Sequence, residues 1–161
     1  IYLGANCFFT ISNSTGFDGV PEIFRRPIAF VNMIPLGWLR TYTNKNIGIV
    51  KHHKSALDGS ELTLREICSS GAAYYESSSE FNANNIALVE NTPEEIKDLV
   101  LEMADRLNGT FQVMPEDEEL QRKFLEIFPS DACRNNGVRW HREVRSRFGA
   151  KFLRNNQSWL S

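Results

Sequence analysis

The chain has 161 residues, 42% of them apolar and 24% charged, with a formal net charge of −2. This is an ordinary globular composition, long enough for one domain with a real core. The charge balance argues against a general nucleic-acid binder, and no apolar run approaches the roughly 18 residues that span a bilayer.

IYLGANCFF (1–9) has no basic leader region and runs directly into the first strand, so the start reads as cut from something longer. CFFTI (7–11) is a short run of apolar, aromatic and β-branched residues bounded by the turn-forming SNSTG (12–16), which predicts a strand buried on both faces. FDGVPEIFRR (17–26) reads as a helix: Phe17, Val20, Ile23 and Phe24 form a stripe that packs on a sheet, while Asp18, Glu22 and Arg25 face away, until Pro27 ends it. PIAFV (27–31) is a second apolar strand that ends in Asn32. A strand, crossover helix and strand of this length predict a right-handed βαβ unit with parallel strands.

The turn carries the functional expectation. The first N–H groups of a helix lack intrahelical partners and the macrodipole is positive there, so an anion is stabilised at Ser14-Thr15-Gly16. Gly16 removes the Cβ that would block close backbone approach, and Asn13, Ser14 and Thr15 add groups able to bond phosphate oxygens or to cap the helix. Open α/β sheets bind ligands beyond the carboxyl ends of their strands, where this loop lies. Asn32 and the backbone near Pro35 face the same crevice on this reading, with a plain turn role as the competing one for Asn32. The same residues also form ordinary N-caps, and neither GxxxxGK[ST] nor GxGxxG occurs.

Residues 36–60 read as a long loop carrying one short strand, NIGIV (46–50), followed by Lys51, His52, His53 and Lys54. Neighbouring histidines on an extended chain point oppositely, and no Asp, Glu or Cys partner lies at ligand spacing, so no metal site is expected. Lys51 to Lys54 supply positive charge either to a phosphate or, more commonly for exposed lysines, to a solvated patch. LTLREICSS (62–70) is a short helix with Leu64, Ile67 and Cys68 on one face, and SSGAAYYESSSEFNANN (69–85) is a polar connecting stretch. IALVE (86–90) is a strand leading into a capping box of Thr92, Pro93 and Glu95.

The helix that follows holds Ile96, Leu99, Val100, Met103 and Leu107 at helical spacing until Gly109 closes it. Pro115 starts another, with an acidic first turn and Leu120, Phe124 and Ile127 on its inner face, and Pro129 stops it. From Arg134 the tail carries Arg139, His141, Arg142, Arg145, Arg147, Lys151 and Arg154 among Trp140, Phe148, Phe152 and Trp159. A solvated basic face over an aromatic anchor that docks its Trp and Leu on the core is expected there, in preference to a nucleic-acid surface. Cys7, Cys68 and Cys133 are far apart and odd in number, which reads as free thiols in a reducing cytoplasm. The N-x-[ST] triplets at Asn13, Asn108 and Asn156 read as loop chemistry.

CFFTISNSTGFDGVPEIFRRPIAFVNMIPLG, LTLREI, ENTPEEIKDLVLEM and GAKFLRNN together resemble the carboxyl-terminal part of bacterial glycosyltransferases of GT-B architecture associated with surface-polysaccharide biosynthesis, over nearly the whole chain. The resemblance implies an α/β, Rossmann-like three-layer domain with a mostly parallel sheet, spanning 1–161 as the donor-binding half of a two-domain UDP-glycosyltransferase-like protein. It implies that Ser14, Thr15 and Gly16 receive the diphosphate of a sugar nucleotide; Asn13, Asn32 and Lys51 are secondary candidates from the reading of the residues above. No metal and no separate cofactor are implied, since the sugar nucleotide is the substrate. The implied partners are a glycan or lipid-linked acceptor and an amino-terminal domain that supplies the general base. No catalytic residue is assigned within this half, which on its own binds better than it catalyses. A cytoplasmic or membrane-peripheral location goes with this reading. A sugar-nucleotide epimerase of the same architecture and a non-catalytic binding or assembly domain are the alternatives.

Overall fold

Four parallel strands organise the molecule: β1 (Thr10–Ser12), β2 (Ile28–Met33), β3 (Ile47–Val50) and β6 (Arg147–Phe148), in the spatial order β1-β2-β3-β6. The computed structural model describes residues 1–39, 43–128 and 145–161. Thr10 aligns with Ile28 across the first pair, Ala29 with Ile47 across the second and Ile47 with Arg147 across the third. Every residue of β3 and nearly every residue of β2 is buried, as expected of central parallel strands covered on both faces. The chain is therefore α/β with a mostly parallel sheet, compatible with a Rossmann-like arrangement.

The opening differs from expectation. Tyr2–Asn6 forms a helix, α1, where an extended run into the first strand is expected, and β1 starts later, at Thr10. Helix α2 (Gly19–Ile23) is only five residues long. Its predicted inner stripe is not buried: Phe17, Ile23 and Phe24 are exposed, whereas Asp18, expected to face away, is fully buried. Asp18 is drawn inward because its Oδ1 accepts the Gly16 N–H at 2.9 Å, which turns the loop over its own carboxylate. The two short helices pack closely, since a Cβ on Gly4 would lie 2.8 Å from Val20 Cγ1. Arg26 Nε donates to Ala5 O at 2.6 Å across the same junction.

Beyond β3 the chain turns at Lys51 into β4 (His52–Ser55), which pairs antiparallel with β5 (Ile86–Val89) in a separate two-stranded sheet. Between them lie α3 (Leu64–Ser69), with Leu64, Ile67 and Cys68 buried as expected, a 3₁₀ turn at Ala72–Tyr74, and α4 (Ser78–Ala83). Helix α4 falls inside the stretch expected to be plain connection. Its Ser77 and Glu80 form a full capping box that the serine-rich composition hides.

Helices α5 (Pro93–Asn108) and α6 (Pro115–Ile127) begin as expected, and α5 also ends so, with the Thr92–Glu95 capping box at its start and Gly109 in the left-handed region at φ 73°. Helix α7 (Ala150–Asn155) and a final 3₁₀ turn at Gln157–Leu160 close the chain, burying Trp159 and Leu160 as the tail predicts. Phe124 and Phe148 meet at 4.4 Å between centroids and Phe148 and Trp159 at 5.5 Å, which builds the aromatic anchor. Three of the tail's described cations are engaged by acids of α5 and α6: Arg147 with Glu118, Lys151 with Asp98 and Arg154 with Asp117. The expectations at Pro129, Cys133, Arg134, Arg139, Trp140, His141 and Arg142 lie outside the described residues.

Cys7 is a free thiol, but Cys68 is disulfide-bonded, so the reading of all cysteines as free thiols does not hold and its argument for a reducing compartment loses its support. Among the described residues no helix is long and apolar enough to cross a membrane.

Candidate functional site

Parallel strands deliver their following loops to one edge of the sheet. Beyond β1 comes the loop with Ser14 and Gly16, beyond β2 the Ile34-Pro35 turn and a 3₁₀ turn at Leu36–Trp38, and beyond β3 comes Lys51. The loops after β1 and β2 meet in a crevice of about 360 Å³ lined by Ser14, Gly16, Ile34, Pro35, Trp38 and Glu76. Of the expected convergence, Ser14 and Gly16 meet the chain at Pro35, whereas Asn13, Thr15 and Asn32 do not line the crevice.

The loop's internal bonding differs from a bare amide cradle. The Ser14 N–H donates to Ser12 Oγ at 3.2 Å and the Gly16 N–H to Asp18 Oδ1 at 2.9 Å, so the two amides that an anion would use are bonded within the loop. Helix α2 starts beyond Gly16 and is too short to carry much of a macrodipole. What the loop offers outward is side-chain chemistry: Asn13 and Thr15 are exposed and make no side-chain hydrogen bond to another described residue. Ser14 is held at φ 65° and Gly16 at φ 96°. A Cβ on Gly16 would meet no atom within 4 Å, so glycine is needed there for its backbone conformation and not for room within the protein. Arg25 and Asn85 also take positive φ away from the crevice, so this conformation alone does not mark the site.

Asn32 sits at the end of β2 with φ 50°, clasped to the residue before the α5 cap. Its N–H donates to Asn91 Oδ1 at 2.7 Å and its Oδ1 accepts the Asn91 N–H at 2.6 Å, while Asn91 Nδ2 donates to Val50 O at 2.8 Å. Asn32 therefore ties the ends of β2 and β3 to the start of α5. Lys51 Nζ lies 2.6 Å from Glu90 Oε1, a half-exposed ion pair. Neither residue lines the crevice.

The neighbouring histidines separate as strand alternation requires. His53 is buried against Phe81 with Nδ1 2.9 Å from Lys51 O, and burial pulls its pKa down to about 4. His52 instead has Nδ1 2.9 Å from Glu61 Oε1 and Nε2 3.0 Å from Glu95 Oε1, against the Phe152 ring. Burial lowers the His52 pKa, but bonds to Glu95 and Glu61 and their charges outweigh it, so the net shift is upward. Glu95 is pulled below its usual range despite burial, by the Thr92 N–H and by His52. The sequence gives no signal of this clamp, because its carboxylates lie far along the chain from the imidazole. Among the described residues no group of three or more His, Cys, Asp and Glu is arranged to hold a metal ion.

A second cavity of about 360 Å³ lies at the opposite edge, lined by Glu22, Ile23, Arg25, Arg26, Ile28, Thr43, Lys45 and Asn46. It carries three cations, Arg25, Arg26 and Lys45, beside Glu22, where the carboxyl-edge crevice has the Ser14 hydroxyl, an aromatic ring and a carboxylate. Comparison with known proteins gives no match: no family model, no curated protein and no solved structure aligns with this chain.

Proposed function

We propose that this chain is the donor-binding half of a glycosyltransferase, taking a nucleotide-diphosphate sugar in the crevice beyond β1 and β2. The observation that carries the reading is the meeting of the Ser-Thr-Gly loop and the Ile34-Pro35 turn in one crevice at the carboxyl edge of adjacent parallel strands, where open α/β sheets hold ligands. The Ser14 and Thr15 hydroxyls and the Asn13 amide donate to the diphosphate oxygens, while Asp18 fixes the loop from inside. Asn32 positions the crevice through Asn91, while Lys51 at the next strand end has its charge balanced by Glu90. These donors stabilise the charge that develops on the leaving diphosphate as the glycosidic bond breaks. The acceptor, a glycan or a lipid-linked glycan in surface-polysaccharide synthesis, and the base that activates it belong to an amino-terminal domain of the parent protein.

The bonded Ser14 and Gly16 amides favour a second reading, a binding or assembly domain whose pocket no longer takes phosphate. Calorimetric titration with UDP, GDP and CDP separates the two. The donor-binding reading expects one of these to bind and Thr15→Val to weaken it about tenfold, the scale of one lost charge-assisted bond. Absence of binding by all of them leaves the assembly reading.

A further inference from the structure

We propose that the crevice contains a glycosyl subsite in which Trp38 and Glu76 recognise a hexopyranose; this rests on the donor-binding reading and extends it from the diphosphate to the sugar. Trp38 and Glu76 line the same cavity as Ser14 and Gly16. The Trp38 side chain is large and 53% exposed, an apolar surface left in water at the mouth of a pocket. The axial hydrogens of a pyranose present an apolar face whose partial positive charge complements the negative face of an indole. Glu76 is exposed, and its carboxylate makes no hydrogen bond or ion pair with another described residue. An ionised carboxylate accepts only, and its two oxygens match the two hydroxyl donors of a vicinal diol.

The pair also sets the direction of the ligand. A carboxylate repels a diphosphate and attracts a neutral polyol, so the phosphates belong with the Ser14 and Thr15 hydroxyls and the sugar with Trp38 and Glu76. Both residues are held by one close contact. A Cβ on Gly37 would lie 2.3 Å from Tyr74 Cε1, so the glycine lets the Tyr74 ring press against the backbone of the Leu36–Trp38 turn. Trp38 follows that glycine directly and Glu76 follows the tyrosine by two positions, so the packing that joins the two turns places both residues at the wall.

The test compares matched ligands by calorimetry: UDP, GDP and CDP against UDP-glucose, UDP-galactose, UDP-N-acetylglucosamine, GDP-mannose and CDP-glucose, with the methyl hexosides as nucleotide-free probes. The wild-type chain is expected to bind one sugar ester at least tenfold more tightly than its parent diphosphate. Trp38→Ala and Glu76→Gln are expected to erase that difference with the thermal midpoint unchanged, Trp38→Ala leaving the diphosphate affinity as it is and Glu76→Gln raising it as the repulsion is removed, and Trp38→Phe to keep most of the difference. Equal affinity for every ester and its parent overturns the subsite and leaves the donor-binding reading standing. Methyl hexoside binding that is lost in Trp38→Ala, with no diphosphate bound, overturns the donor-binding reading and keeps the subsite. No binding by any probe overturns both.

Discussion

At the corner where α5, α6 and α7 meet, most polar groups are buried and bonded, with Gln121 Nε2 buried and unbonded; at the crevice beyond β1 and β2 they are exposed and face outward. Glu102 is 6% exposed, yet its Oε2 accepts the Ala150 N–H at 2.7 Å and its Oε1 accepts Arg106 Nε at 2.9 Å. Burial pushes the Glu102 carboxyl above its usual range, against these bonds. Gln121 Oε1 accepts the Phe148 N–H at 3.0 Å, and Asp117 is bonded to Arg154. A buried polar network of this kind is costly to break and fixes one arrangement, whereas outward-facing groups cost little to expose and remain for a ligand. The corner sets stability and the crevice sets binding, so substitutions in the two regions should move different observables.

The largest effect belongs to the corner. Phe124→Ala removes the ring that meets Phe128, Phe148 and Trp159, and should cost about 3–5 kcal/mol in chemical denaturation. A loss below about 1 kcal/mol would mean that the corner repacks and does not govern stability. Acid titration comes next. His53 must stay neutral in the fold, with a pKa of about 4 against 6.5 unfolded, so the unfolded chain binds more protons between these values and stability falls as pH drops. At pH 5 that loss is about 2 kcal/mol, and it should be missing from the pH dependence of His53→Gln.

His52 has the opposite sign. Its folded pKa is raised, so its contribution is complete below 6.5 and is lost as pH rises through the folded value. Glu95, lowered from 4.5, loses its contribution as pH falls through its folded value, so the clamp is strongest between the ordinary Glu and His values. Stability curves of His52→Gln should lack the gain that wild type shows in that window.

Between the regions, Asn91→Ala removes an acceptor from Asn32 N–H and a donor to Val50 O. The expected cost is on the order of 1.5 kcal/mol in stability, with weaker ligand binding as the end of β2 loosens. If binding is unchanged, the clasp does not position the crevice. Thr15→Val is the smallest in stability, within about 0.5 kcal/mol, because the side chain is exposed and unbonded among described residues. A larger change in its denaturation midpoint would show that the loop is part of the structural core.

Legibility in the sequence followed the same division. Helices α5 and α6 announce themselves through Pro at the first turn, a capping box or acidic start, and apolar residues at helical spacing. The parallel pairing of β1 and β2 and the position of the Ser14 loop at their carboxyl ends follow from the βαβ spacing. The opening helix pair is legible only in part: α1 leaves no periodic pattern, and the stripe that predicts α2 names the wrong inner face, because the packing of these single short turns depends on Gly4 and the inward Asp18. Strand β6 is two residues long with a charged first member, and only its pairing with β3 makes it a strand. Trp38 and Glu76 stay hidden for a related reason, since their two turns come together through tertiary packing, including that of Gly37 against Tyr74.

Amide chemical-shift mapping of the uniformly labelled chain during titration with UDP, GDP and CDP, each followed by its hexose ester, addresses the binding site most directly. Shifts are expected at Ser14, Thr15 and Gly16 with the diphosphate, spreading to the Trp38 and Glu76 signals with the ester. Shifts at Glu22, Arg25, Arg26 and Lys45, around the basic cavity at the opposite edge, or no shifts at all, would contradict it.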